Sequence, residues 1–352
     1  MTLQQTIARI QPIDKKSMDA ARRRFSNIAI PLGSLGLLEG AIIQLAGICR
    51  TATPTIAKCA VVVFCADNGV VAQGVTQCGQ EVTAIVTENM NAGKSTVCLM
   101  AQHLGMDVFP VDIGVARDVA GERIIRRKIR YGTADMTEGP AMTRDEAVRA
   151  FEVGIELAEA RAAEGYELLC GGEMGIGNTT SSAAVTAALL EVSVETVTGR
   201  GAGISTEGLQ KKVNAIKTAL SVNKPDKNDP VDVIAKVGGL DIAGMAGLYL
   251  GSAACGVPVV IDGVIACVAA LTAVRLCPAA RGYLLASHQS EEPAGRLLLE
   301  ALGAKPFITA GMRLGEGTGA AAAVALFDLA LAAYLGMPCF DDAGIEAYKP
   351  FV

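Results

Sequence analysis

Short unbroken apolar runs alternate along the chain with stretches in which apolar residues return every three or four positions. The runs KCAVVVFCA (58–66), MDVFPVDI (106–113), YELLCGG (166–172), VPVVIDG (257–263) and GYLLAS (282–287) read as strands. Strands without polar alternation are buried on both faces, as in a parallel sheet between two helical layers. The periodic stretches supply those layers. TRDEAVRAFEVGIELAEARAAEG opens with Thr143 and Glu146 in capping-box spacing and stops at Gly165. NDPVDVIAKVGG offers Asp229 as N-cap and Pro230 at the first helical position. The pattern predicts an α/β fold, a doubly wound, Rossmann-like parallel sheet with right-handed crossovers.

The first fifty or so residues carry helical patterns and no strand, in KKSMDAARRRF and LGLLEGAIIQLAGICR, and the tail from 319 to 335 is helical too. These ends are expected to form a smaller helical domain (1–52 plus 320–352) beside a large α/β domain (53–319). One stretch resembles a membrane span: IAGMAGLYLGSAACGVPVVI (242–261) has no charge. Gly256 and Pro258 interrupt it, so it parses as a buried helix over 241–255, a turn, and a buried strand ending at Asp262.

Composition narrows the function. The 352 residues hold 31 Lys and Arg against 36 Asp and Glu, a net charge of −5, with no long basic run, which argues against a nucleic-acid surface. Ten cysteines occur without a CxxC pair and suit a reducing cytoplasm. The N-terminal MTLQQTIARIQPIDKK has no apolar signal core. His103 and His288 are the only histidines, so acid–base work falls to carboxylates.

In open parallel sheets ligands bind beyond the carboxyl ends of the strands. Polar groups collect there: Asp67 and Asn68, Asp112, Glu173, Asp262, and Ser287, His288 and Ser290. GGEMGIGNTTSSAAV places Gly175 and Gly177 where backbone can approach an anion, with Asn178, Thr179 and Thr180 at the next helix N-terminus. A second glycine turn, TGRGAG, with Gly201 and Gly203, precedes a helix carrying Lys211 and Lys212. Together they suggest a phosphate. AGKST (92–96) imitates the end of a P-loop, but Glu88 stands where the leading glycine belongs. RLGEGTGAAAAVAL sets Glu316 between Gly315 and Gly317 ahead of a helix. Locally it reads equally as an idle turn residue or as a base against which a flat ligand lies.

PLGSLGLLE (31–39), CADNGV (65–70), GEMGIGNTT (172–180), KVGGLDIAGMAG (236–247), PVVIDG (258–263), SHQS (287–290) and RLGEGTGAA (313–321), in this order, resemble the nicotinate-nucleotide:dimethylbenzimidazole phosphoribosyltransferase family. The resemblance implies transfer of ribose 5-phosphate from nicotinate mononucleotide to an aromatic base, giving an α-ribosyl nucleotide and nicotinate, without metal or organic cofactor. It implies Glu316 as general base, with Glu173 assisting, and Lys212 as phosphate ligand. Gly175, Gly177, Asn178, Thr179, Thr180, Gly201, Gly203, Ser290, Leu314 and Gly315 would line the ribose-phosphate and base pockets. It also implies a homodimer; the alternative is a subunit that needs a paralogous partner. Cys78 and Val86 stand where the family commonly has Ser and Gln, and Leu32 and Leu37 where Pro and Arg are common. The first two changes make the base pocket less polar and predict an altered or broadened base preference, toward other benzimidazoles, purines or phenols. Asp67, Asp241 and Asp262 remain readable as either structural caps or supports of the site.

Overall fold

The computed structural model describes residues 1–348. Six strands, β1 (Cys59–Ala66), β2 (Asp107–Gly114), β3 (Ile125–Arg126), β4 (Leu168–Met174), β5 (Val259–Ile261) and β6 (Leu284–Ala286), form one sheet in the order β3-β2-β1-β4-β5-β6. All five pairings are parallel. This is the strand order of a doubly wound dinucleotide-type sheet, whose direction of winding reverses between β1 and β4. β3 has no counterpart in the hydrophobic pattern. It is a two-residue edge strand, too short to produce one.

Every residue of β1 is buried, so both of its faces are covered. Phe64 packs against Gly244 of the helix Leu240–Cys255, whereas Val61 packs against Gly317 at the start of the helix Thr318–Gly336. Residues three apart on a strand face opposite ways, so these helices belong to opposite layers. Leu240–Cys255 runs through the uncharged stretch; it is almost wholly buried and is followed by a turn and β5, the expected parse. Thr318–Gly336 is also long and apolar enough to cross a membrane, but Ala321, Phe327, Leu331 and Tyr334 are buried and it packs on β4, β5 and the helix Thr96–His103.

Near the chain ends, Phe25 stacks with Tyr334 at 4.5 Å between ring centroids, and Arg24 Nε donates to the Tyr334 carbonyl at 3.1 Å. The first helix, Leu3–Arg9, instead lies on the large layer, where the Leu3 N–H donates to Glu152 and the N-terminal amine pairs with Glu159. Residues 349–352, the end of the expected helical unit, lie outside the described residues.

Candidate active site

The carboxyl ends of β4, β5 and β6 open onto a cavity. Residues from the segments 75–78, 173–179, 200–204, 262–266, 288–292 and 313–316 line it.

Glu316 projects from a turn in which Gly315, Glu316 and Gly317 all have left-handed backbone, with φ of 92°, 62° and 92°. Only glycine adopts such a run without steric cost. The turn is pressed against β4, because a Cβ on Gly172 would meet the Glu316 carbonyl. The Glu316 carboxylate reaches the first turn of the helix Thr96–His103, where Oε2 accepts from the Val97 N–H at 3.2 Å. Burial raises its pKa above the ordinary carboxylate value; the Val97 N–H and the Ser95 hydroxyl pull it back down, and the charge of Asp262 pushes it up. The AGKST turn thus receives an anion after all, and that anion is a side chain of the protein itself. Ser95 caps the Cys98 N–H of this helix start and leaves the Val97 N–H for Glu316.

Asp262, at the end of β5, supports the same turn. Its Oδ2 accepts from the Gly317 N–H at 3.1 Å, and its Oδ1 from Gly319 at 2.7 Å and Ala320 at 3.0 Å. These are the free N–H groups at the start of Thr318–Gly336, whose N-cap Gly317 has no side chain to serve them.

A second carboxylate pair lies deeper. Asn178 Nδ2 donates to Glu173 Oε2 and, at 2.9 Å, to Asp241 Oδ2. Burial, reinforced by the charge of Asp241, pushes Glu173 up to about 8, and burial pushes Asp241 up to about 6. This favours the protonated form of Glu173 at neutral pH, and its Oε1 is turned toward Gly315.

At the other end of the cavity, Lys212 is 1% exposed and makes no ion pair among the described residues. Its Nζ donates to Thr179 Oγ1 at 2.8 Å and to the Gly199 carbonyl at 3.1 Å, tying the two glycine turns together. Burial lowers it to about 8. The charge of Glu292 offsets this only in part, and a buried ammonium without a direct ion-pair partner favours a bound anion. Glu292 accepts from the Gly201 N–H at 3.0 Å on the same turn.

Of the residues expected here, Glu316, Glu173, Gly175, Gly177, Asn178, Thr179, Gly201, Ser290, Leu314, Gly315 and Cys78 line this cavity. Lys212 stands one layer behind, 3.7 Å from where a Cβ on Gly201 would lie. Thr180 is buried away from the lining, and its hydroxyl finds no hydrogen-bond partner. Gly203 sits beside the lining, with its carbonyl accepting from Gln77. Val86 is half-buried on the helix Glu81–Asn91 and packs against the core outside the lining. The motifs do not single out Ser95 and Val97, although the N-cap pattern of AGKST signals a free helix start. Nor do they single out Glu292, which follows SHQS closely and reads in sequence as an ordinary surface acid.

Residues 10–345 match a family model described as "Phosphoribosyltransferase". A nicotinate-nucleotide–dimethylbenzimidazole phosphoribosyltransferase from Acetivibrio thermocellus is 48% identical over 348 residues, covering 99% of each chain. One of the same name from Ruminiclostridium cellulolyticum is 45% identical over 350 residues, again covering 99% of each. The crystal structure of CobT from Thermus thermophilus superposes with a TM-score of 0.91 at 40% identity, covering 95% of this chain and 100% of that one. The chain belongs to this phosphoribosyltransferase family.

Proposed function

We propose that the chain transfers ribose 5-phosphate from nicotinate mononucleotide to a benzimidazole-type base, with Glu316 as general base. The carrying observation is one cavity that joins the glycine turns around Lys212 to the Glu316 carboxylate. The phosphate sits at the turns, where Gly175, Gly177 and Gly201 admit backbone and Lys212 supplies charge. The base lies between the Glu316 turn and the wall carrying Cys78 and Leu314. A ring nitrogen of the base forms a bond to C1′ of the ribose. The C1′–N bond to nicotinate breaks, and its electron pair stays on the pyridine nitrogen. The azole N–H proton passes to Glu316. The leaving group is already cationic at nitrogen and needs no acid. Attack opposite to it turns a β-linked donor into an α-linked product. Neutral Glu173 assists by hydrogen bonding from Oε1 and adds no second negative charge beside the base.

The apolar character of Cys78 and Leu314 supports a broadened base preference. Leu314, 56% exposed beside Glu316, supports closure of the cleft by a partner subunit, and we favour a second copy of this chain. Ten free cysteines support a cytoplasmic setting. The Phe25–Tyr334 contact supports the smaller helical unit. Purified protein is to be incubated with nicotinate mononucleotide and dimethylbenzimidazole, and the product's anomeric configuration read by NMR. An α-ribosyl nucleotide is expected; no product, or a β-product, contradicts the proposal.

A further inference from the structure

We infer that Asp262 is the positioning residue for Glu316: from the end of β5, its carboxylate clamps the left-handed turn that aims the base. This rests on the reading of Glu316 as general base. Glu316 is the central residue of three consecutive positive φ angles, 92°, 62° and 92°, and it carries a Cβ there. A backbone conformation of that kind persists only when its surroundings over-determine it. Three hydrogen bonds do so here. Both oxygens of one buried carboxylate engage the N–H groups of Gly317, Gly319 and Ala320, close after the base in the chain. Gly317 has no side chain and offers this helix start no capping bond of its own.

The clamp also couples two layers. Asp262 directly follows β5, whereas Glu316 belongs to a turn packed across Gly172 of β4. His288 closes the remaining side, its Nδ1 4.0 Å from Asp262 Oδ1 and 2.9 Å from the Ser287 hydroxyl, and leaves the turn little room to shift. Asp262 therefore acts on the reaction through the place of Glu316 and not through a proton of its own.

The test is a double-mutant cycle with D262N and E316Q, measuring kcat, both KM values, donor Kd by calorimetry, and Tm. An asparagine would present an NH₂ group to N–H donors that now meet oxygen, and this releases the turn. D262N is expected to lower kcat on the order of 100-fold, since a misplacement near 1 Å suffices for that. Donor Kd should change by less than about threefold, because the phosphate turns are untouched. In the E316Q background D262N should add little further loss, as for residues that act as a unit. Losses that multiply would overturn the inference, and so would wild-type kcat in folded D262N while E316Q is impaired. Wild-type kcat in E316Q would overturn the reading of Glu316 and this inference with it. If D262N does not fold, D262E keeps the charge and the capping oxygens but displaces the turn by one methylene. It must show the same selective loss of kcat, and unchanged kcat in folded D262E overturns the inference.

Discussion

Glu316 Oε2 accepts a hydrogen bond from the backbone N–H of Val97 at 3.2 Å, joining two segments 219 residues apart in the chain. The contact balances burial. Desolvation and the neighbouring charge of Asp262 push the Glu316 pKa up, while the Val97 N–H and Ser95 hydroxyl hold it down. Glu173, which also faces it, is neutral near pH 7 and begins to add charge only toward pH 8. S95A removes one stabiliser of the ionised form. The acid limb of kcat against pH should therefore move to higher pH, leaving kcat at the alkaline plateau nearly unchanged. A limb that stays in place or moves down contradicts this balance.

Glu173 makes a prediction about stability. Its pKa rises from an ordinary 4.5 to about 8 in the folded protein, chiefly through burial. Between those values the folded chain holds a proton that the unfolded chain has lost, so stability falls as pH rises through the window and levels off above it. E173Q imitates the neutral acid and has nothing to ionise. Its Tm relative to wild type should climb from about pH 4.5 to about pH 8, with activity near pH 7 largely kept. A flat Tm difference would show that Glu173 is ionised in the folded state.

For Lys212 the sign is opposite. Burial lowers its pKa from 10.5 to about 8, so the folded protein gives up a proton that the unfolded chain keeps until higher pH. Donor binding that needs the ammonium should weaken above about pH 8, seen as a rising KM for nicotinate mononucleotide. K212M should raise that KM roughly 10- to 100-fold at neutral pH, since hydrogen bonds to charged groups contribute about 1.5–3 kcal/mol. Acceptor KM should barely move. Equal effects on both substrates would place the phosphate elsewhere.

Cys78 lines the cavity and Val86 does not, so base preference is expected to respond to position 78 and not to position 86. On a panel of benzimidazoles, purines and phenols, wild type should turn over several classes. C78S should shift the kcat/KM ratio toward dimethylbenzimidazole by roughly tenfold, the scale of one pocket contact. A strict dimethylbenzimidazole preference in wild type contradicts the broadened pocket.

Much of this is legible in the chain because local chemistry and tertiary position agree. The five longer strands fall within the mainly apolar runs, and the Thr143–Glu146 capping box and the Asp229–Pro230 start appear where their patterns put them. The glycine turns announce an anion site because glycine has a distinct backbone use there. Other features depend on contacts that no local pattern encodes. Val97 serves Glu316 through a backbone N–H, which leaves no trace in residue type. Asp262 reads as one more strand-end carboxylate until its three N–H partners, 55 to 58 residues onward, are seen. Thr180 sits in the same motif as Thr179, yet one step along a helix turns its hydroxyl into the core. Alignment alone puts Val86 at the base pocket, and the helix Glu81–Asn91 carries it off the cavity wall.

The central claim is that Glu316 takes the proton of the incoming base, and E316Q tests it most directly. Steady-state turnover of nicotinate mononucleotide with dimethylbenzimidazole should lose roughly 10²- to 10⁴-fold in kcat, the usual contribution of a positioned general base. Donor KM and Tm should remain close to wild type. A folded E316Q protein that keeps wild-type kcat would contradict the account.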